Sequence, residues 1–240
     1  MKKGERKKAE ILRVAEELFY QKGYESTTID DILEVLGLSK GGFYHHFESK
    51  EALLMSICEE KALSTHEAIR EAVVNCPGQC ADQINAMFDK NGLWRGDRSD
   101  FLGLLIRVGY LGGNLLLREH LKRRLFELCL PIVDEIVQKG VDSGEFLTPY
   151  PGGAGALVLQ LGASLSDQIA FLLTGKEPPN TAKILEYLEL YRYAIEQILG
   201  APFGSIDLYQ MRYMADLLLS IYRKHLERGM PAQGEARLQA

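Results

Sequence analysis

TIDDILEVLGLSKGGFYHHF, Thr28 to Phe47, reads as two short helices joined by a tight turn. Ile29, Ile32, Leu33 and Leu36 recur at helical spacing and give the first helix one apolar face. Gly37 ends it, because glycine takes the left-handed conformation at little cost. Leu38 follows as an apolar plug under the turn, and Ser39 is placed to cap the next helix. That helix, expected over Lys40–Phe47, carries Phe43 and Phe47 inward. Lys40, Gly41, Gly42, Tyr44, His45 and His46 face outward. A helix that is small at one end and bears hydrogen-bonding groups along its outer face suits a major groove, where it must come close to base edges.

The same pattern extends on both sides. The run ILRVAEELFYQKGYESTTIDDI followed by LGLSKGGFYHHFESKEALL supplies Ala15, Phe19, Gly23, Tyr24, Thr28, Ile32, Gly37, Ser39, Tyr44, Phe47, Lys50 and Leu53 in one fixed order. Residues 5–65 therefore resemble the DNA-binding domain of the tetracycline-repressor (TetR) family of transcriptional regulators. The resemblance implies a helix-turn-helix domain over 1–50, a helical regulatory and dimerisation domain over 51–230, and no cofactor. Residues 66–240 carry no matching motif. The tail over 231–240 is short of apolar residues and is expected to be flexible.

Composition is that of an ordinary globular protein: 46% hydrophobic and 25% charged over 240 residues, enough to bury a real core. The net charge of −5 argues at first against nucleic acid, but its distribution matters more. Residues 1–50 hold nine basic and nine acidic side chains, so the excess acid lies beyond them. Within 1–8, five basic residues stand against Glu5 alone. A local basic contact suffices, since phosphate attraction is screened beyond about 8–10 Å at physiological salt. The longest apolar runs are broken, as Leu157–Leu165 is by Gln160 and Gly162, so no membrane span is expected. The basic N-terminus leads into an amphipathic helix and not an apolar signal core, which predicts a cytoplasmic protein. Cys76 and Cys80 have a spacing compatible with metal binding, but no second pair accompanies them. Half-buried thiols beside a turn are the plainer expectation, and no metal site is assigned.

No strand-like alternation stands out, and the predicted fold is all-α. The first helix is expected over Arg6–Lys22, with Arg6, Lys7 or Lys8 either meeting DNA backbone or remaining solvated. Ser49 should cap a long helix reaching Asn75. Helices follow over Gln79–Lys90, Ser99–Gly109, Leu115–Asp142 with Pro131 inside, Ala154–Thr174, a seam from Ile184 to Ile198, and Ser205–Arg228. Ala154–Thr174 is apolar over a wide arc, which requires burial on two sides. One short recognition helix reads few base pairs, and a two-fold dimer doubles the contacts on a palindromic site. Helices over 154–174 and 182–199 are the expected homodimer interface, with an intramolecular core as the alternative.

Individual roles follow. Lys40 is expected to contact a base, with guanine the matching acceptor, and Gly41 and Gly42 permit close approach. By resemblance, Tyr44, His46 and Lys50 contact phosphates, and His45 touches base or phosphate. Thr28 caps its helix and also offers a hydroxyl to phosphate; Ser39 belongs to the same DNA-facing set. The resemblance also implies a small-molecule effector in the C-terminal domain that shifts the helix after Lys50 and changes the spacing of the two readers. Trp94, Arg107, Tyr110, Gln160, Asp167 and Gln168 are the candidate ligand residues, against the plainer reading of each as a satisfied core group, an intersubunit contact or plain surface. A ligand-responsive repressor is the favoured function. An enzyme housed in the helical C-terminal domain and a protein-binding adaptor are the alternatives; no nucleophile–base pairing, metal motif or phosphate loop supports the enzyme.

Overall fold

The computed structural model describes residues 3–89, 92, 115–174, 180–208 and 211–227. Among them the chain is all-helical: α1 Lys3–Lys22, α2 Ile29–Leu36, α3 Lys40–Tyr44, α4 Lys50–Val74, α5 Cys80–Met87, α6 Leu115–Asp142, α7 Pro151–Thr174, α8 Thr181–Leu199 and α9 Met211–Glu227. The helix expected over Ser99–Gly109 and the tail over 231–240 lie outside the described residues. The chain divides into two compact units, Met1–Leu63 with Asp100–Leu121, and Ser64–Ser99 with Lys122–Ala240. Along α4 the division between the units falls at Leu63 and Ser64.

In the first unit, the apolar stripe of α1 (Ile11, Ala15, Leu18, Phe19) meets Ile32 and Leu33 of α2, Phe43 and Phe47 around α3, and Leu53, Leu54 and Ile57 of α4 in one buried cluster. Burying each such side chain stabilises the unit by about 1.5–3 kcal/mol before conformational entropy is charged against it. Tyr24 packs edge-on against Phe19, ring centroids 5.1 Å apart. Two ion pairs join helix to helix at the surface: Lys22 with Asp31 at 2.9 Å and Lys61 with Glu16 at 2.7 Å. α3 is shorter than expected. Its helical span ends at Tyr44, and the chain from His45 to Phe47 turns back with His46 N–H bonding Phe43 O at 2.8 Å. Phe43 and Phe47 still pack together, ring centroids 5.9 Å apart.

In the second unit, α7 and α8 pack along one another, burying Val158, Ile169 and Ala170 against Ile184, Leu188, Tyr191 and Ile195. A hydrogen bond of 2.7 Å links Ser164 Oγ and Tyr191 OH across them. α7 starts at Pro151, earlier than expected, because proline costs nothing at a first helical position, where its missing N–H would have no partner. α9 starts at Met211, later than expected from Ser205. The intervening loop is stapled elsewhere: Gly204 and Ile206 N–H groups donate to Glu196 Oε1 at 2.9 and 3.2 Å, and Asp207 N–H donates to Asn85 Oδ1 at 2.8 Å. Glu196 itself is buried and holds Arg192 through both carboxylate oxygens.

The segment Pro151–Leu172, mean hydropathy 1.3, is long and apolar enough to cross a membrane, against expectation. Isolated Gln160 and Gly162 interrupt a run without lowering the average of the whole helix. Only 22% of its most apolar window is buried within the chain. The four cysteines are free. Burial pushes the Cys58 thiol up to about 12 and the Cys129 thiol to about 11, so neither forms a thiolate at neutral pH. Cys76 and Cys80 are half-buried at the ends of the turn before α5, where the Glu145 carboxylate accepts from the N–H groups of Cys80 and Ala81 at 2.8 and 2.7 Å. Burial first, then Glu145, raises the Cys80 thiol as well.

Candidate nucleic-acid interface

The geometry of Thr28–Phe47 follows from its caps. Thr28 Oγ1 accepts from Asp31 N–H at 3.1 Å, and the Asp31 carboxylate accepts from Thr28 N–H at 2.7 Å, a reciprocal capping box that starts α2. Gly37, at φ 60° and ψ 35°, ends it, and Leu38 N–H reaches back to Leu33 O at 3.0 Å, the bond of a Schellman turn. Ser39 Oγ then accepts from Gly42 N–H at 3.2 Å and starts α3. Every cap in this element is local in sequence, which fixes the angle between α2 and α3 by a handful of hydrogen bonds.

On the outer face a shallow depression of 320 Å³ is lined by Glu25, Thr27, Thr28, Ile29, Asp30, Lys40, Tyr44 and Lys50. Four residues expected from sequence to meet DNA, namely Thr28, Lys40, Tyr44 and Lys50, are thereby brought to one place. Tyr44 is half exposed, its ring edge-on to Phe43 with centroids 5.5 Å apart. His45 and His46 follow with ring centroids 5.0 Å apart. Gly41 lies open: a Cβ built there meets nothing within 4 Å. One at Gly42 makes ordinary contacts with Ser39 Oγ and Leu38 at 3.5 and 3.6 Å. Glycine costs a helix about 1 kcal/mol relative to alanine. Among the described residues no close contact requires glycine at either position.

Three side chains are engaged in ways their sequence positions did not suggest. Lys50 Nζ donates to Tyr24 O at 2.8 Å, Thr27 O at 3.0 Å and, more weakly, Glu25 O at 3.5 Å, and sits 4.3 Å from the centroid of the Tyr24 ring. An ammonium has three donors, and these carbonyls, which belong to no helix ladder, take them up. These bonds clasp the start of α4 to the α1–α2 connection. Lys40 is ion-paired with Asp30 at 3.1 Å. The Thr28 hydroxyl donates to Asp31 Oδ2 at 2.7 Å, so it is spent within the capping box. Thr27, unassigned from sequence, is fully buried and donates to Gly23 O at 2.7 Å and Leu18 O at 3.3 Å, closing the connection beneath Lys50. A threonine pair before a helix gives no one-dimensional sign of which member caps and which is buried.

Of the candidate ligand residues, Gln160, Asp167 and Gln168 are described, all on α7. Trp94, Arg107 and Tyr110 lie outside the described residues. Gln160 is exposed, Gln168 is half-buried, and Asp167 is paired with Lys122. On α7 and α8, Leu157, Phe171, Leu190 and Tyr193 are large apolar side chains that are each about half exposed.

Residues 11–57 match the family model described as bacterial regulatory proteins, tetR family. The HTH-type transcriptional regulator YfiR of Bacillus subtilis is 30% identical over 151 residues, which cover 61% of this chain and 71% of YfiR. The chain belongs to the TetR family. YerO, an HTH-type transcriptional regulator of the same organism, is 35% identical over 119 residues, 48% of this chain and 40% of YerO, so the chain spans less than half the length of that relative. The Escherichia coli transcriptional repressor NemR is 29% identical over 80 residues, 33% of this chain and 40% of NemR. At the level of fold, a TetR-family regulator from Pectobacterium atrosepticum superposes with a TM-score of 0.60 at 18% identity, covering 84% of this chain and all of that one. RolR in complex with resorcinol superposes with a TM-score of 0.53 at 15% identity, covering 89% and 94%. As a TetR-family member the protein is a DNA-binding transcriptional regulator, with its helix-turn-helix at Thr28–Phe47.

Proposed function

We propose that this regulator represses transcription as a homodimer on a palindromic operator and is released by a small molecule bound in its C-terminal unit. The observation that carries DNA reading by α3 is the open pair Gly41–Gly42 beside a depression that gathers Lys40, Tyr44 and Thr28. Lys40, at the helix start, supplies the base contact, worth about 1–3 kcal/mol of discrimination. Ser39 sets the helix start, Tyr44 and His46 meet phosphates on either side, and His45 reaches base or backbone. Lys50 acts by holding the α1–α2 connection.

A single reader of this size is too poor in contacts for one genomic site, and two-fold symmetry sets two readers about 34–36 Å apart, one DNA turn, or a multiple of it. The half-exposed apolar side chains of α7 and α8 support these helices as the dimer interface, and explain why a membrane-length apolar helix sits in a DNA-binding protein. Such a protein works in the cytoplasm. Repression follows the naming of NemR, and effector release follows RolR, which holds resorcinol on the same fold. Gln160, Asp167 and Gln168, all on α7, are the described candidates for a ligand contact.

The test is a mobility shift at low salt with the DNA flanking the gene, alongside sedimentation of the free protein. A shift that weakens steeply with salt, by a species of dimer mass, is expected. A protein that is monomeric at working concentration, or that shifts no fragment, overturns the reading.

A further inference from the structure

Asp30 has no duty in the cap of α2. The capping box uses Asp31, whose carboxylate bonds Thr28 and pairs with Lys22. Asp30 stands one residue earlier on the outer face, its side chain 69% exposed, as is that of Lys40. Its two oxygens lie 3.1 and 3.2 Å from Lys40 Nζ, and both residues line the same depression as Tyr44. A carboxylate on a face that approaches a polyanion weakens binding unless it serves selection.

We propose that Asp30 is a specificity-determining residue that makes the Lys40 contact conditional on the base it meets; this rests on α3 reading DNA. The closed Asp30–Lys40 pair carries no net charge. Against non-cognate DNA it stays closed, and the start of α3 adds nothing to the phosphate attraction that governs non-specific binding. At the cognate step the purine-edge acceptors, such as guanine O6 and N7, replace the carboxylate as the partners of the ammonium. The lysine then contributes only where those acceptors are present. Without Asp30 the ammonium is a free point charge that any phosphate satisfies, and it ceases to discriminate.

The test uses the full-length protein and two duplexes: one selected by the wild-type protein from a random pool, and a scrambled duplex of equal composition. Affinities are measured over a series of salt concentrations for wild type, Asp30→Asn, Asp30→Glu, Lys40→Ala and the Asp30→Asn/Lys40→Ala double variant. Asp30→Asn is expected to tighten the scrambled duplex by about threefold to tenfold and to steepen its salt slope by about one, as for one added phosphate contact. The selected duplex gains less, so the ratio of the two affinities falls. Asp30→Glu keeps the charge and keeps the ratio. In the Lys40→Ala background the substitution at Asp30 no longer changes the ratio. Equal gains on both duplexes, or an unchanged effect without Lys40, overturn the proposal and reduce Asp30 to a surface charge. A wild-type protein that selects no duplex removes the reading beneath it, an outcome distinct from either.

Discussion

The helix-turn-helix and the α7–α8 pair are built on opposite principles. In Thr28–Phe47 the polar groups that matter are satisfied within a few residues of themselves: Thr28 by Asp31, Ser39 by Gly42, Gly37 by the preceding turn. In α7 and α8 polar contacts reach far along the chain, Lys122 with Asp167 and Ser164 with Tyr191, and several large apolar side chains stay about half exposed. The first element is a rigid tool whose shape is written locally. The second is held together by contacts between helices far apart in sequence.

That contrast is broken most forcefully at Glu196. Its carboxylate is 1% exposed, binds Arg192 twice, and accepts from two N–H groups of the loop before α9. Removing the buried carboxylate leaves the N–H groups of Gly204 and Ile206 without an acceptor while Arg192 keeps its bonds to Glu189, at about 1–3 kcal/mol for each orphaned donor and about 2–6 kcal/mol together. Glu196→Ala is expected to lower stability by that amount, read by urea unfolding. Amide exchange should quicken in α8 and in Gly204–Leu208 while α1 to α3 keep their protection. Equal loss of protection in both regions means that they unfold as one body, and the contrast between them fails.

A smaller effect sharpens the other side. Lys50→Met keeps the stem of the side chain and removes the donors to Tyr24, Thr27 and Glu25. Hydrogen bonds from a charged donor contribute about 1.5–3 kcal/mol, and partial exposure places the expected loss near the lower end, about 2 kcal/mol. DNA affinity should fall on every sequence with the salt slope unchanged, since the clasp positions the reader without touching phosphate. A slope that falls by about one restores Lys50 as a phosphate contact.

Sequence was most informative where structure is local. Gly37, Ser39 and the stripe Ile29–Ile32–Leu33–Leu36 announced their roles through spacing alone, and so did the inward pair Phe43 and Phe47. The clasp of Lys50 was hidden because its acceptors are backbone carbonyls 23 to 26 positions away, and carbonyls carry no residue signature. Asp30 read as an acid near a helix start, its usual place; its partner ten residues on is near only because Gly37 folds α3 back toward α2. In the C-terminal unit the periodicity located α7 and α8 within a few residues. It could not say which apolar face is core, since water and a second copy leave the same pattern in one chain.

The smallest expected effect tests whether the reader's rigidity comes from its caps. Thr28's hydroxyl, then its backbone N–H, then Lys22 hold the Asp31 carboxyl well below the usual carboxylate range. A carboxyl whose folded value lies below its unfolded one contributes stability that is fully present above the unfolded value, about 3.9, and is lost as pH falls toward the folded one. The first turn of α2 should therefore loosen as pH drops from about 5 toward 3, seen as faster exchange of the Asp31 and Ile32 amides relative to those of α1. Asp31→Asn removes the titrating group: the variant exchanges faster at neutral pH and loses the acid dependence at these amides. If wild type and variant show the same acid dependence there, the box does not set the entry of α2. The orientation of the reading helix would then have to come from the Phe43–Phe47 core beneath it.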